Sequence, residues 1–323
     1  MKKRISSAIF SIFFLAVLFV LAPNIKAEAA EIKQSATTRN SVTISWDDPY
    51  SGYSYYKTTA YRVYVGTIDA NYNYNYVLYE TLPASQRSIQ INNLPAGCER
   101  KIKIEYDYIS EYSSTPHTLY MGEYIRTLPG EVTGLRQARW YYWSKSFDAT
   151  WDEQTGVDGY QYIVKTNKNK TKASGTAKYS NSFSVDKISN SVVYSGRVRA
   201  YSTINGVKYY GPWSDTAYFM TQPQITKAKI SGNKLSVKWK KVGGATGYDV
   251  YVSTKKASGY KKVKSVSSRT TSATIKKLGT KKFSKKKTYY VYIVTKKTVK
   301  GRTSKSGRLY YWNTKNNSKV GYF

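Results

Sequence analysis

The stretch from Lys234 to Val252, KLSVKWKKVGGATGYDVYV, constrains the fold most, because related stretches occur twice upstream. Apolar residues from Leu235 to Trp239 alternate with polar ones, which is the period of a β-strand with one face buried and one face in water. A Gly-rich turn follows, and the alternation returns from Tyr248 to Val252. The pattern predicts two strands whose apolar sides pack on a common core.

The same plan recurs from Phe147 to Val164 as FDATWDEQTGVDGYQYIV. It appears more loosely in the runs Ser41–Trp46 and Ala60–Val65, which a longer loop joins. Internal repetition of this kind indicates one structural unit used several times. No segment of the chain downstream of the N-terminal leader has a 3.6-residue apolar period of helical length, so the sequence predicts an all-β protein of three similar units.

The N-terminal residues predict an export signal. The basic run Lys2–Arg4 precedes the uncharged run Ala8–Leu21, and Ala27 and Ala29 are the small residues that a signal peptidase reads. We expect cleavage after Ala29 and a secreted, extracellular, cell-surface protein. The apolar run of 14 residues is shorter than the roughly 20 that a spanning helix needs, so we expect no transmembrane segment in the mature chain.

Two Pro-containing junctions divide the rest of the chain. Pro129-Gly130 and Gln222-Pro223 interrupt the strand pattern where one repeat ends and the next begins. We therefore expect a signal peptide at 1–29 and domains at 30–128, 129–222 and 223–323.

Positions that recur in the units carry a family resemblance. They are a tryptophan in the second strand, a Leu or Ile ahead of a turn, and a tyrosine that opens a later strand. The residues are Trp46, Trp151 and Trp239; Leu94, Ile188 and Leu278; and Tyr194 and Tyr289. With the Tyr-x-Val type of strand, the units resemble fibronectin type III domains. This resemblance implies seven-stranded, Ig-like antiparallel β-sandwiches.

The resemblance also implies local structure and a setting. Tyr194 and Tyr289 match the tyrosine that makes a corner hydrogen bond in this family. The first unit has Arg100 there, so we expect its corner to be built differently. The third unit is similar to the Lys-rich versions found in secreted and surface proteins of Gram-positive bacteria.

Positive charge is concentrated in the third unit. Residues 223–323 contain 27 lysines and arginines and one acid, Asp249, whereas residues 31–128 contain 9 basic and 10 acidic residues. A surface that only keeps a protein soluble normally mixes positive and negative side chains. The almost purely positive charge of the third unit therefore favours binding to a polyanion. The candidate residues are Lys255, Lys256, Lys261, Lys262, Lys264, Lys276, Lys277, Lys281, Lys282, Lys285, Lys286, Lys287, Lys296, Lys297, Lys300 and Arg302.

The expected partner is an anionic cell-wall polymer such as teichoic acid, or a polysaccharide. Lysine outnumbers arginine in the third unit, which favours diffuse contact over bidentate recognition and argues against a specific nucleic acid. A plain solvated surface is the competing interpretation of the same charge.

The 34 tyrosines suggest a second kind of contact, with a protein or glycan ligand. The candidate aromatic face is Trp140, Tyr141, Tyr142 and Trp143. Alternating tyrosines between Asn71 and Tyr79 fit an ordinary strand instead. Trp213 has a structural interpretation, stacking against Arg197 and Arg199.

The residue types that catalysis needs are scarce. His117 and Cys98 are the only residues of their types, and no cluster has metal-ligand spacing. The acidic pairs Asp47-Asp48 and Asp152-Glu153 directly follow strand tryptophans, which is typical of turn formers. We therefore expect no cofactor, no metal and no enzymatic activity.

These observations predict a secreted, non-enzymatic cell-surface binding or display protein. Its basic third unit attaches to an anionic envelope polymer, and the other two units meet a glycan or protein partner. One alternative is a carbohydrate-binding accessory module that uses Tyr and Trp faces. Another is a secreted non-specific polyanion binder.

Overall fold

The computed structural model describes residues 31–322 except 70 and 72, and the side chains of 319, 320 and 322 also lie outside the description. The signal peptide expected at residues 1–29 falls outside the described residues. In the described part of the chain, no helix is long and apolar enough to cross a membrane.

Every regular element in the described residues is a β-strand. In chain order they are β1 Ile32–Thr37, β2 Val42–Trp46, β3 Tyr56–Ile68, β4 Tyr74–Pro83, β5 Ser88–Ile91, β6 Glu99–Ser110, β7 Ser113–Arg126, β8 Arg136–Tyr141, β9 Ser146–Thr150, β10 Gly159–Lys165, β11 Thr171–Lys178, β12 Ser182–Val185, β13 Tyr194–Ile204, β14 Val207–Tyr210, β15 Ala217–Phe219, β16 Ile225–Ser231, β17 Lys234–Trp239, β18 Gly247–Ser253, β19 Lys261–Ser267, β20 Ser272–Ile275, β21 Lys277–Leu278, β22 Lys281–Lys282, β23 Tyr290–Val299, β24 Arg302–Lys305, β25 Tyr310–Asn313 and β26 Ser318–Tyr322. The prediction of an all-β antiparallel fold is confirmed.

The chain forms two compact units. An N-terminal unit comprises residues up to 37, 41–92 and 100–125, and a C-terminal unit comprises 38–40, 93–99 and 126–323. The division of the chain into three domains at 128 and 222 stays a prediction.

The N-terminal unit contains two sheets, with strand orders β1-β2-β5 and β4-β3-β6-β7. The alternation seen in the sequence sets the register, since Ile44 lies opposite Ile89 in the first sheet and Val63 opposite Ile104 in the second. All four side chains are buried. Both sheets therefore turn their apolar faces inward, as in a β-sandwich.

The C-terminal unit contains two further pairs of sheets. The first pair has the orders β12-β9-β8 and β11-β10-β13-β14, with β15 also paired to β13. The second pair has the orders β16-β17-β20 and β19-β18-β23-β25-β26, with β24 paired to β23, and β21 and β22 form a small hairpin. Each three-stranded sheet joins strands in the order found in β1-β2-β5. The same arrangement of strands therefore repeats in each antiparallel β-sandwich.

The same aromatic contact joins the two sheets of every sandwich. A tryptophan at the end of the middle strand of the three-stranded sheet, or directly after it, meets a tyrosine from the opposite sheet edge-on, with ring centroids 5.1–5.6 Å apart. The pairs are Trp46 with Tyr61, Trp151 with Tyr160, and Trp239 with Tyr248. All six side chains are buried. Edge-to-face packing adds stability beyond burial of apolar area, so this pair anchors each core.

The tyrosine corners are present where the resemblance implied them. The hydroxyl of Tyr194 accepts a hydrogen bond from the Ser189 backbone amide at 2.7 Å, and that of Tyr289 accepts one from the Ser284 amide at 3.2 Å. At the corresponding turn near Cys98, the Thr127 hydroxyl donates to the Pro95 carbonyl at 2.8 Å. The expectation of a different corner there is confirmed.

Within the C-terminal unit, the two sandwiches share a hydrogen-bonded junction. The Val193 amide donates to the Gly243 carbonyl, and the Gly243 amide donates to the Ser191 carbonyl, both at 2.8 Å. A β-carbon at Gly243 would approach the Asn167 amide nitrogen to 2.8 Å. Gly244 has a φ of +85°, which disfavours other residues. The Gly-Gly pair therefore makes the close approach possible.

Candidate polyanion-binding surface

Most of the lysines predicted to bind a polyanion are exposed. Most of them lie on β19, on β21 and β22, or in the turns beside these strands, whereas Lys300 and Arg302 belong to the hairpin of β23 and β24. The exposed members are Lys255, Lys256, Lys261, Lys262, Lys264, Lys276, Lys277, Lys281, Lys282, Lys285, Lys286, Lys287, Lys300 and Arg302. None of the lysines in this exposed set has an acid within ion-pair distance in the described residues. The charge of these lysines therefore faces solvent without a paired carboxylate, although the charge of Lys262 helps to lower the pKa of the Asp249 carboxyl.

Three of the predicted residues have internal partners. The Lys296 ammonium lies 2.6 Å from Asp249 Oδ1, and the Lys297 ammonium lies 5.6 Å from the centre of the Tyr218 ring. The exposed guanidinium of Arg302 pairs with Asp215 at 3.1 Å. The prediction is corrected for Lys296, because its ammonium is paired with the buried Asp249 carboxylate and its charge is already compensated within the protein.

Asp249, the one acid of residues 223–323, is only 1% exposed. Burial opposes its ionisation, but hydrogen bonds from Lys296 and Ser265 outweigh burial and hold the pKa of the Asp249 carboxyl below its usual value. The only acid of residues 223–323 is therefore already paired within the protein. This arrangement leaves the outer surface positive.

We expect Asp249→Asn to lower the free energy of unfolding by about 2 kcal/mol near neutral pH, because a charge-assisted hydrogen bond is lost. A depressed pKa stabilises the folded state above the unfolded pKa of about 4, and this contribution disappears as the pH falls through the folded value. Urea unfolding of the wild type and of Asp249→Asn at about pH 7 and about pH 3 measures the difference in their free energies of unfolding. A difference that persists undiminished at the lower pH would contradict the assignment.

A further cationic surface lies on the outer face of the sheet β16-β17-β20. Lys229 is opposite Ser236, and Lys227 is opposite Lys238. Ser236 and Lys238 in turn lie opposite Thr274 and Ser272. The face therefore presents lysines and hydroxyls only. These lysines were not among the predicted residues because they are not adjacent in the sequence. Their alternation with Ala228, Leu235 and Val237 nevertheless indicates that they face outward.

The predicted aromatic face is divided between core and surface. Trp140 is 7% exposed, stacks on Phe147 at 5.5 Å, and donates through Nε1 to Asn190 Oδ1 at 2.9 Å. It belongs to the core of its sandwich, so its assignment to an exposed face is corrected. Tyr142 also packs against core residues. Only Tyr141 and Trp143, at 36% and 72% exposure, remain available to a ligand.

A denser aromatic surface lies in the N-terminal unit. The Lys101 ammonium sits 4.7 Å from the Tyr74 ring and 5.4 Å from the Tyr124 ring, and the Lys103 ammonium lies 4.4 Å from the Tyr64 ring. The hydroxyls of Tyr74 and Tyr124 are 2.7 Å apart. Cation–π contacts hold these rings in place. The result is an ordered Tyr–Lys surface on the outer side of the sheet β4-β3-β6-β7.

Asp48 has the turn-forming role predicted for it, whereas Asp152 bonds to a residue far away in the chain. Asp48 Oδ1 accepts from the Tyr50 amide at 3.0 Å and from the Thr58 hydroxyl at 2.8 Å. Asp152 Oδ2 accepts from the Thr133 hydroxyl at 3.0 Å. No group of three or more His, Cys, Asp or Glu in the described residues could hold a metal ion. Cys98 is buried as a free thiol.

The stacking predicted for Trp213 is confirmed. The guanidinium carbons of Arg197 and Arg199 lie 5.8 and 4.6 Å from its ring centre, and Arg199 also lies 4.1 Å from the Tyr210 ring. The ladder consolidates the outer side of β13 and β14.

Comparisons with known proteins give a likeness of fold. No family model matches the chain, and no curated protein matches its sequence. A crystal structure of chicken CNTN1 FN1-FN3 domains is 15% identical, with a TM-score of 0.33, over 88% of this chain and 96% of that one. A two-domain fibronectin type III segment of chicken tenascin is 15% identical, with a TM-score of 0.30, over 59% and 98%. These values carry no argument about function, and the sandwich architecture rests on the strand pairing described above.

Proposed function

We propose that this chain is a secreted, non-enzymatic, cell-surface binding protein whose C-terminal sandwich attaches it to an anionic envelope polymer such as teichoic acid. The remaining sandwiches meet a glycan or protein partner. The observation that carries the proposal is the distribution of charged side chains in residues 223–323. The single acid is buried and paired, while the clustered lysines are exposed.

The physical argument concerns self-repulsion. Exposed cations without counter-charges destabilise a compact domain, and an anionic polymer relieves this repulsion when it binds. A lysine near an anionic surface contributes about 1 kcal/mol, so a few lysines in simultaneous contact hold a protein there. The contact is screened within about 8 Å at physiological salt, and its strength therefore falls as salt rises.

The test is sedimentation of the chain from residue 30 onward with purified Gram-positive cell walls across a NaCl series. We expect the variant Lys285→Gln, Lys286→Gln, Lys287→Gln to bind roughly a hundredfold more weakly, since three contacts of about 1 kcal/mol each are lost. Walls stripped of teichoic acid are expected to bind little of either protein.

The matched control is Lys168→Gln, Lys170→Gln, Lys178→Gln, which removes the same charge from exposed positions outside the C-terminal sandwich. It is expected to bind within about threefold of the wild type, because non-contacting charges are screened. Equal losses in both variants, or salt-insensitive binding, would overturn the proposal.

The Tyr–Lys surface of the N-terminal unit supports the second part of the proposal. Large rings with polar tips are favoured at binding surfaces because they offer apolar area together with a hydrogen-bonding group. Tyr124 is 46% exposed and its neighbours are held in place. This surface suits the stacking of sugar rings or the side chains of a protein partner.

A further inference from the structure

A groove of about 610 Å³ lies within the C-terminal unit, between strand β8, strand β15 and the segment that joins β24 to β25. Its floor includes Tyr218 and Leu309, and hydroxyls of Thr216 and Ser304 also line it. This volume is in the range that holds a small ligand in a protein cleft. The groove is thus large enough for a few sugar rings.

Cations line the groove and carboxylates do not. Arg136, Arg139, Lys305 and Arg308 are among its described lining residues, and no Asp or Glu is among them. All four are exposed. None of the sixteen residues that the sequence suggested for polyanion binding lines it, so the groove is separate from the exposed lysine surface. Several cations along a cleft that has no carboxylate in its described lining raise the positive potential there and attract an anion.

The arginines are held by neighbouring groups. The Arg139 guanidinium donates to the Tyr141 hydroxyl at 3.4 Å and lies 5.7 Å from that ring, while the Arg308 guanidinium lies 5.9 Å from the Tyr292 ring. Arg136 donates to the Gly134 carbonyl at 2.8 Å and pairs with Asp152 Oδ1 at 3.4 Å, so its charge is partly compensated beside the groove. Guanidinium groups restrained in this way present their remaining N–H donors to a carboxylate with little loss of side-chain entropy.

The two walls of the groove are tied together. Gln137, on the β8 wall, accepts a hydrogen bond from the Met220 amide at 2.8 Å. The Thr295 hydroxyl donates to the Thr221 carbonyl at 2.8 Å, and the Leu309 amide donates to Gln222 Oε1 at 2.8 Å. The first bond lies within one sandwich and the other two join that sandwich to the next, so the spacing of the cations across the groove does not depend on the ligand. Such preorganisation favours selective binding.

We propose that this groove binds a short acidic oligosaccharide whose carboxylates pair with the arginines. Arg139 on one wall and Arg308 on the other receive carboxylates from different sugar residues. The hydroxyls of Thr216 and Ser304 take hydrogen bonds with sugar hydroxyls, and the Tyr218 ring supplies an apolar surface. Arginine, which is scarce on the exposed lysine surface, provides the planar fork that matches a carboxylate. The groove is therefore expected to select carboxylates over other anions, whereas the lysine surface binds any polyanion.

The test is titration calorimetry of the chain from residue 30 onward with a tetra-uronate, its carboxyl-reduced neutral counterpart and tetrapolyphosphate, at physiological salt. We expect one site for the tetra-uronate, with the Arg139→Gln, Arg308→Gln variant at least tenfold weaker. The neutral sugar is expected to show no binding, and tetrapolyphosphate is expected to bind more weakly than the uronate. The matched control Lys285→Gln, Lys286→Gln removes the same charge outside the groove and is expected to change the affinity less than threefold.

Equal weakening in the control variant would overturn the proposal, because binding would then be diffuse. Binding of the neutral sugar, or tighter binding of tetrapolyphosphate, would overturn the carboxylate assignment. Thermal unfolding of each variant checks its fold. If the double variant is destabilised, Arg139→Lys and Arg308→Lys keep the charge and remove only the fork, and each is expected to weaken binding severalfold. Cell-wall sedimentation of the groove variant separates this result from the proposed function, since it should remain near wild type there.

Discussion

Replacing Trp239 with alanine is expected to lower the free energy of unfolding by about 3–5 kcal/mol, since truncation of a buried aromatic removes its transfer free energy and leaves a cavity. Trp239 is 4% exposed, belongs to the core cluster of its sandwich, and contacts the Tyr248 ring at 5.6 Å. A loss of this size is comparable to the whole stability of a small domain. Urea unfolding followed by circular dichroism measures it.

Trp143→Ala is the matched control. Trp143 is 72% exposed, so the same chemical change there is expected to cost within about 0.5 kcal/mol. Similar unfolding midpoints for the wild type and Trp239→Ala would show that the core is assigned wrongly. Because the Trp–Tyr pair recurs, Trp46→Ala and Trp151→Ala are expected to behave like Trp239→Ala.

Replacing Gln222 with alanine is expected to destabilise the junction inside the C-terminal unit by about 3–4 kcal/mol, because three buried backbone groups lose a partner at about 1 kcal/mol or more each. The Gln222 side chain is fully buried. Its Oε1 accepts from the amides of Leu309 and Tyr310 at 2.8 and 3.2 Å, and its Nε2 donates to the Tyr310 carbonyl at 2.9 Å. The Gln222 side chain thus provides the hydrogen-bond partner for three backbone groups of the neighbouring sandwich.

We expect calorimetry of the Gln222→Ala chain to resolve separate transitions for residues 129–222 and 223–323, where the wild type unfolds them together. Gln224→Ala is the matched control, because Gln224 lies two residues after Gln222 and is exposed. This variant is expected to give the same calorimetric profile as the wild type. A wild type that already unfolds these regions independently would contradict the coupling. Limited proteolysis at the junction gives a second readout, because uncoupled sandwiches expose the Gln222-Pro223 segment.

Residues whose role depends on local alternation were predictable. In a strand the side chains alternate between two faces, so the apolar period of β17 and β18 marks the inward positions without further information. The tyrosine corners at Tyr194 and Tyr289 were predictable for a similar reason, since each hydroxyl bonds to the backbone only five residues away. The concentration of charge in residues 223–323 is likewise a property of composition.

For the run of four aromatic residues beginning at Trp140, the sequence pattern did not predict which side chains are buried. The register of β8 against β9 shifts between Gln137 and Arg139, and this bulge decides which of the following side chains turns inward. Trp140 then lies opposite Phe147 and enters the core. Alternation predicts that one face is buried, but a bulge changes which residues belong to it, and the sequence pattern carries no clear mark of the bulge.

Sequence alone determined that this protein is all-β, that tryptophan and tyrosine build its cores, and that its positive charge is gathered near the C-terminus, because strand alternation and composition are local quantities. Tertiary structure decided that Lys296 is neutralised by Asp249, that Gln222 ties two sandwiches together, and that Arg139 and Arg308 line the same groove. These facts depend on groups tens of residues apart in the chain. Only packing of one sheet or sandwich against another brings them within a few ångströms.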